Sequence, residues 1–434
     1  MKFLGTLFLI IITSLFYFPF NTSLLPAVNT KMALAAVGLI LFASHAALRR
    51  NATIDNTFAS VSIWALFVSF IGLISAIVND SGDYAYANYI VSAWVWMGGA
   101  YAVVKSIGVI YGKVTLRLLT NILLAVCITQ CFLSLIIDAN ASFAEWVDSF
   151  MVSTGFMGKA EGRLYGIGCA LDVAGLKFCA VLILLAYFAL NPSRKINIYL
   201  ETLIYVASFF IIAILGSMIA RTTSIGVIMV IVYWIGIFIY NKTHSIKTYQ
   251  NNCFGIVLSL SLALLIPAII YFYKVNAGFS EDLRFGFEGF FSLVEKGEWY
   301  VHSNNSLMSM WIWPDNLATW LIGDGYFNSP DANPYYTGPF FSDYYMGTDI
   351  GYCRFVFYFG LIGLAVFCAY FIHCVKCCSD TNPQYRILFG LILLMNFIGW
   401  MKVSSDMFPI IALILMLEKE VNESENLLLK KVNS

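Results

Sequence analysis

Residues 274–349 read KVNAGFSEDLRFGFEGFFSLVEKGEWYVHSNNSLMSMWIWPDNLATWLIGDGYFNSPDANPYYTGPFFSDYYMGTD, an interval in which Lys274, Arg284, Lys296 and His302 stand among acids, amides and many rings. On both sides the chain is apolar. Neighbouring helices of a bundle need only about 2–8 residues between them. A connection this long, with charges and aromatics of its own, reads as a working segment outside the membrane rather than a linker.

The flanks decide the class. Of 434 residues 60% are hydrophobic and 12% charged, and the mean hydropathy is +0.79. That composition excludes an ordinary soluble domain. A helix needs about 20 mostly apolar residues to cross the hydrocarbon, and such stretches run roughly over 4–20, 32–48, 57–78, 89–111, 118–138, 169–190, 199–217, 223–240, 253–273, 350–372, 386–401 and 404–417. The expected fold is therefore an all-α integral membrane protein of about 12 transmembrane helices. Spans 1–9 occupy residues 1–273, the large extracytoplasmic loop 274–349, spans 10–12 residues 350–417, and a cytoplasmic tail 418–434. The last two spans are short and tightly joined, which allows a tilted or re-entrant arrangement. Residues 1–20 have an apolar run longer than the ~7–15 residues of a signal-peptide core and no small-residue cleavage site, so they count as the first span.

Lys and Arg set the orientation. With a cytoplasmic N-terminus, fifteen of them fall on the inner side and nine on the outer, and Lys177 lies inside a span. Both termini are then cytoplasmic and the long loop faces outward. Ten cysteines are scattered mostly through the spans and form no disulfide framework. The group His373, Cys374, Cys377 and Cys378 has poor zinc spacing. No metal and no cofactor are expected, and no nucleic-acid partner.

Charge at membrane depth is costly and marks a site by default. Arg221 falls in a tight outer turn, GSMIARTTS, where it either snorkels from a helix end or offers its planar fork of donors to an anion. Arg163 stands among Gly162, Gly166 and Gly168 before the sixth span; Asp172 and Lys177 follow and could neutralise each other. Arg284, in SEDLRFGFEGFF, would sit on the polar face of an amphipathic surface helix. Together Arg163, Arg221 and Arg284 suggest a positive pocket at the outer headgroup level. For proton transfer the outward groups are His302, Asp324, Asp343 and Asp349, with Asp349 at the start of the tenth span. Trp299, Trp311, Trp313, Trp320, Tyr326, Tyr335, Tyr336, Tyr344 and Tyr345 could stack on sugar faces or form an interfacial belt.

Four stretches in order, EGRLYGIGCALDVAG (161–175), GSMIARTTSIGVIMVIV (216–232), EDLRF with IGDGYF (281–285 and 322–327) and TDIGYCRFVFYFGLIGLAVF (348–367), resemble the polysaccharide polymerase and O-antigen ligase superfamily of bacterial envelope glycosyltransferases. Ligases of that superfamily usually carry histidine where this chain has Thr348-Asp349, so the resemblance favours the repeat-unit polymerases. It implies a bacterial inner-membrane enzyme that polymerises undecaprenyl-pyrophosphate-linked repeat units into O-antigen, capsule or exopolysaccharide without a metal. Arg163, Arg221 and Arg284 would bind pyrophosphate, Asp349 or His302 would act as base, and Trp299, Trp313, Asp324 and Tyr326 would touch sugar. Its partners would be the lipid-linked donor and acceptor, membrane lipid, a chain-length regulator and a flippase. The alternatives are a glycan ligase and a polysaccharide flippase or transporter.

Overall fold

The computed structural model describes residues 2–48, 52–152, 163–193, 197–244, 249–330 and 344–420, without the side chains of 52–55 and 249–251. In chain order the helices are α1 (Lys2–Tyr17), α2 (Thr30–Ala47), α3 (Ala52–Val78), α4 (Tyr89–Tyr111), α5 (Leu116–Ala139), α6 (Ala141–Phe150), α7 (Leu171–Leu190), α8 (Ile198–Ile219), α9 (Thr223–Thr243) and α10 (Tyr249–Val275). There follow α11 (Ala277–Gly286), α12 (Glu288–Lys296), α13 (His302–Ser309), α14 (Leu317–Ile322), α15 (Gly351–Thr381), α16 (Arg386–Gly399) and α17 (Phe408–Leu415).

Helix occurs in each of the twelve expected stretches. Among the described residues nine helices, α2 to α5, α7 to α10 and α15, are long and apolar enough to cross a membrane. The chain is a helical membrane protein. α1, α16 and α17 are shorter, and α17 covers only 408–415 of the expected 404–417 because Met407 N–H is bound by the Asn396 side chain and Phe408 N–H by Asp406 Oδ1 at 2.9 Å. One departure from an all-α fold is an antiparallel hairpin, β1 (Asn21–Thr22) with β2 (Leu25–Asn29), between the first two helices.

α7 is the axis of the bundle: 83% of its apolar window is buried, against 17% for α9 and α10. Around it the helices approach closely where residues are small. A Cβ at Gly38 of α2 would lie 1.8 Å from the carbonyl oxygen of Gly98 on α4, so this crossing requires glycine at position 38.

Among its described residues the long connection is more than half helical. The expected amphipathic surface helix is two helices, α11 and α12, separated at Phe287. Further on, IGDGYF enters a break in α15. Gly360 has φ +66° and ψ −172°, which interrupts the helix and frees carbonyls of its N-terminal half. Phe357 O accepts from Asp324 N–H at 2.6 Å and Tyr358 O from Gly325 N–H at 3.1 Å, with Ser75 Oγ donating to Tyr358 O at 2.6 Å. Exposed carbonyls inside a bundle must find such donors. Asp83 holds the same segment from the α3–α4 side, accepting from Phe327 and Asn328 N–H at 2.9 and 3.0 Å.

Candidate functional site

The start of α7, the turn between α8 and α9, the start of α15 and the turn after α16 all lie at one end of the bundle, where α11 and α13 cover them. They enclose a cavity of about 660 Å³. Arg163, Asp172, Arg221, His302, Asp349 and Lys402 line it, with Ser303, Tyr344 and Ser404 between them.

Arg221 occupies the short turn between α8 and α9, and each of its three guanidinium nitrogens has a neighbour. Nε donates to Phe285 O at 2.9 Å, Nη1 to Ser303 Oγ at 3.0 Å, and Nη2 lies 2.8 Å from Glu288 Oε2, a charge contact off hydrogen-bond alignment. The Phe285 ring carries two guanidinium groups, that of Arg221 at 4.0 Å and that of Arg163 at 4.9 Å. Two cations at one ring repel each other and attract an anion.

Asp172 does not neutralise Lys177. It pairs with Lys402 at 2.8 Å and accepts from Thr222 Oγ1, while Lys402 also donates to Thr222 Oγ1 at 3.1 Å. Lys177, 7% exposed and deeper along α7, has its ammonium 5.3 Å from the Phe18 ring.

Asp349 sits just before α15 and makes no hydrogen bond to a described residue. Burial and the nearby Asp172 charge push its carboxyl up to about 6, against the opposing pull of Arg354 and Lys402. A carboxyl there exchanges protons near neutrality, as a general base should. His302 opens α13, and its backbone N–H donates to Glu288 Oε1 at 3.2 Å.

Behind this wall stands Arg354, 4% exposed and clamped between the rings of Phe327 at 3.6 Å and Tyr344 at 3.7 Å. It donates to Ser404 Oγ at 2.8 Å and to Phe327 O at 3.1 Å, and its Nε has no partner. It thereby fixes two residues of the lining, Tyr344 and Ser404.

The other expected site residues lie elsewhere. Arg284 does not join Arg163 and Arg221; it is half-exposed, donates to Tyr273 OH at 2.9 Å and pairs with Glu295 at 2.7 Å. Trp299 packs on Phe290, Trp313 stacks on Trp320, and Tyr326 stacks on Tyr345. Asp324 accepts from Thr319 Oγ1 at 2.5 Å and from Tyr345 OH at 3.1 Å within the turn that fills the α15 break. Asp343, Tyr335, Tyr336 and Gly162 are outside the described residues. His373 bonds Ser60 Oγ at 2.7 Å, and no group of three or more His, Cys, Asp or Glu among the described residues could hold a metal ion.

Sequence reasoning missed Lys402, Glu288, Ser303 and Arg354 as members of this region. Arg354 carried a usable signal, an arginine inside an apolar span; the rest are ordinary polar residues of the long connection and of the turn after α16 until folding gathers them.

Fold and cavity together define a helical membrane protein with a cation-rich, acid-containing chamber at one end of its bundle. Compared with protein-family models, curated proteins and solved structures, the chain matches none.

Proposed function

We propose that this protein is a membrane glycosyltransferase that joins undecaprenyl-pyrophosphate-linked oligosaccharide repeat units into O-antigen, capsule or exopolysaccharide. In this reading the chain has twelve spans in a bacterial cytoplasmic membrane, both termini are inside, and the cavity opens to the outside. The observation that carries the reading is the convergence of Arg163, Arg221, Lys402, His302 and Asp349, from five separate segments, on one chamber. Cations and a proton acceptor in one chamber are what pyrophosphate displacement by a hydroxyl requires.

In the reaction the acceptor hydroxyl oxygen forms a bond to the anomeric carbon of the growing glycan. The bond from that carbon to pyrophosphate breaks, and undecaprenyl pyrophosphate leaves with the electron pair. Arg163 and Arg221 stabilise the charge that accumulates on it. The hydroxyl proton passes to Asp349 or His302. Arg284, tied to Glu295, has no assigned part.

The test uses the intact protein in nanodiscs with a lipid-linked repeat unit. Wild type is expected to give a ladder of polymer, and Arg221→Ala to lower turnover by about 10²-fold or more, the usual loss for one electrostatic donor. Full-length polymer from Arg221→Ala at normal folding would refute the assignment. In cells, loss of the gene should leave glycan capped with a single repeat unit. Unattached lipid-linked polymer would indicate a ligase instead, and absence of both a flippase.

A further inference from the structure

Only 17% of the apolar window of α9, and of α10, is buried, and Phe209 and Phe210 of α8 form part of the wall between these two helices. Between them lies a second hollow of about 720 Å³, walled by Phe209, Ile231, Trp234, Phe238, Phe254 and Leu258. Its cation and amides gather at one end, where α9 finishes and α10 begins: Asn241, Lys242 and Asn252. Lys242 is exposed, and no described residue pairs with its ammonium. Inside the groove Gly255 faces open space, since a Cβ there would meet nothing within 4 Å.

An apolar trough with one cation and two amides at its mouth has the polarity of a phospholipid reversed. We propose that it holds a single anionic phospholipid, with its phosphate against Lys242 and the two asparagines and an acyl chain laid between α9 and α10. A zwitterionic headgroup would bring its own cation beside Lys242, which disfavours it. The ligand is not that of the Arg221 cavity: Lys242 stands at the far end of α9, roughly 28 Å along the helix from Thr223. The groove therefore serves the opposite leaflet, and its occupancy does not depend on the function proposed above.

Native mass spectrometry of the full chain released from nanodiscs of phosphatidylglycerol and phosphatidylcholine tests this. Wild type is expected to retain one phosphatidylglycerol. Lys242→Gln should cut that retention about fivefold, the contribution of one lysine at an anionic headgroup. Gly255→Phe should abolish it by filling the trough. Ile235→Phe, at a position 53% exposed on the groove wall, provides a second plug should the glycine variant misfold. Equal retention of both lipids by wild type, recovery of polyprenyl phosphate in their place, or undiminished retention by a folded plug variant would each overturn the proposal.

Discussion

Asp349 is held where its charge is disfavoured, and the consequence can be measured apart from any activity. Its folded-state carboxyl titrates near 6, above the unfolded range, so the folded protein binds more protons than the unfolded between about pH 4 and 6. Stability supplied by the protonated form is then present at low pH and lost as pH rises through 6. Asp349→Asn should stabilise the fold at pH 7.5 by about 1 to 2 kcal/mol after allowance for screening, seen as a higher melting temperature, and have no such effect at pH 4. If Asp349 is the base, turnover of the wild type should also fall as pH drops below 6, measured with the same preparation. Sequence reading singled out Arg221 and Asp349 because an arginine in a tight turn and a carboxylate at a span boundary are conspicuous by their cost, Arg163 because glycines surround it, and His302 as an outward histidine. It could not separate Arg284 from them. That separation depends on Glu295 and Tyr273, one across a helix break and the other on the preceding helix, and spacing alone does not say which partner an arginine takes.

Among the elements, the spans were legible and the break in α15 was not. Helix is found in all twelve expected stretches, and among the described residues nine of those helices are long and apolar enough to cross a membrane. GLIG reads as the middle of a continuous span; only the approach of IGDG shows why Gly360 takes a positive φ. A Cβ on Gly360 would lie 2.2 Å from the Leu321 backbone, and one on Gly323, itself at φ +76°, 2.5 Å from the Tyr358 backbone. Gly360→Ala and Gly323→Ala should each cost more than about 3 kcal/mol, from strain plus backbone collision. Limited proteolysis should then cut between α14 and α15 faster than in wild type. Gly236 of α9 is the control, because a Cβ there meets nothing within 4 Å; Gly236→Ala should be neutral or stabilise by up to about 1 kcal/mol.

For the whole molecule the first question is orientation. A protease site inserted at Gly297, an exposed turn with φ +74°, should be cleaved by protease added to spheroplasts, whereas a fluorescent protein fused after Ser434 should fold and glow inside the cell. Cleavage only after lysis would reverse the assigned sidedness. Charge is the second question. The chain has 25 basic and 25 acidic residues, and two of the cations that line the cavity already have carboxylate partners: Arg221 faces Glu288, and Lys402 faces Asp172. An incoming phosphate at Arg221 therefore meets a site already occupied by a tethered carboxylate. Glu288 competes intramolecularly, since the fold holds its carboxylate 2.8 Å from Arg221. Singly charged ions in the surrounding medium would be turned away, while a ligand with several phosphate oxygens and a lipid anchor could displace it. Glu288→Gln should accordingly raise the affinity for inorganic pyrophosphate, read by isothermal titration, and make the protein less selective between pyrophosphate and chloride. The carboxylate beside the arginine would then act as a built-in rival that sets the threshold for what is admitted.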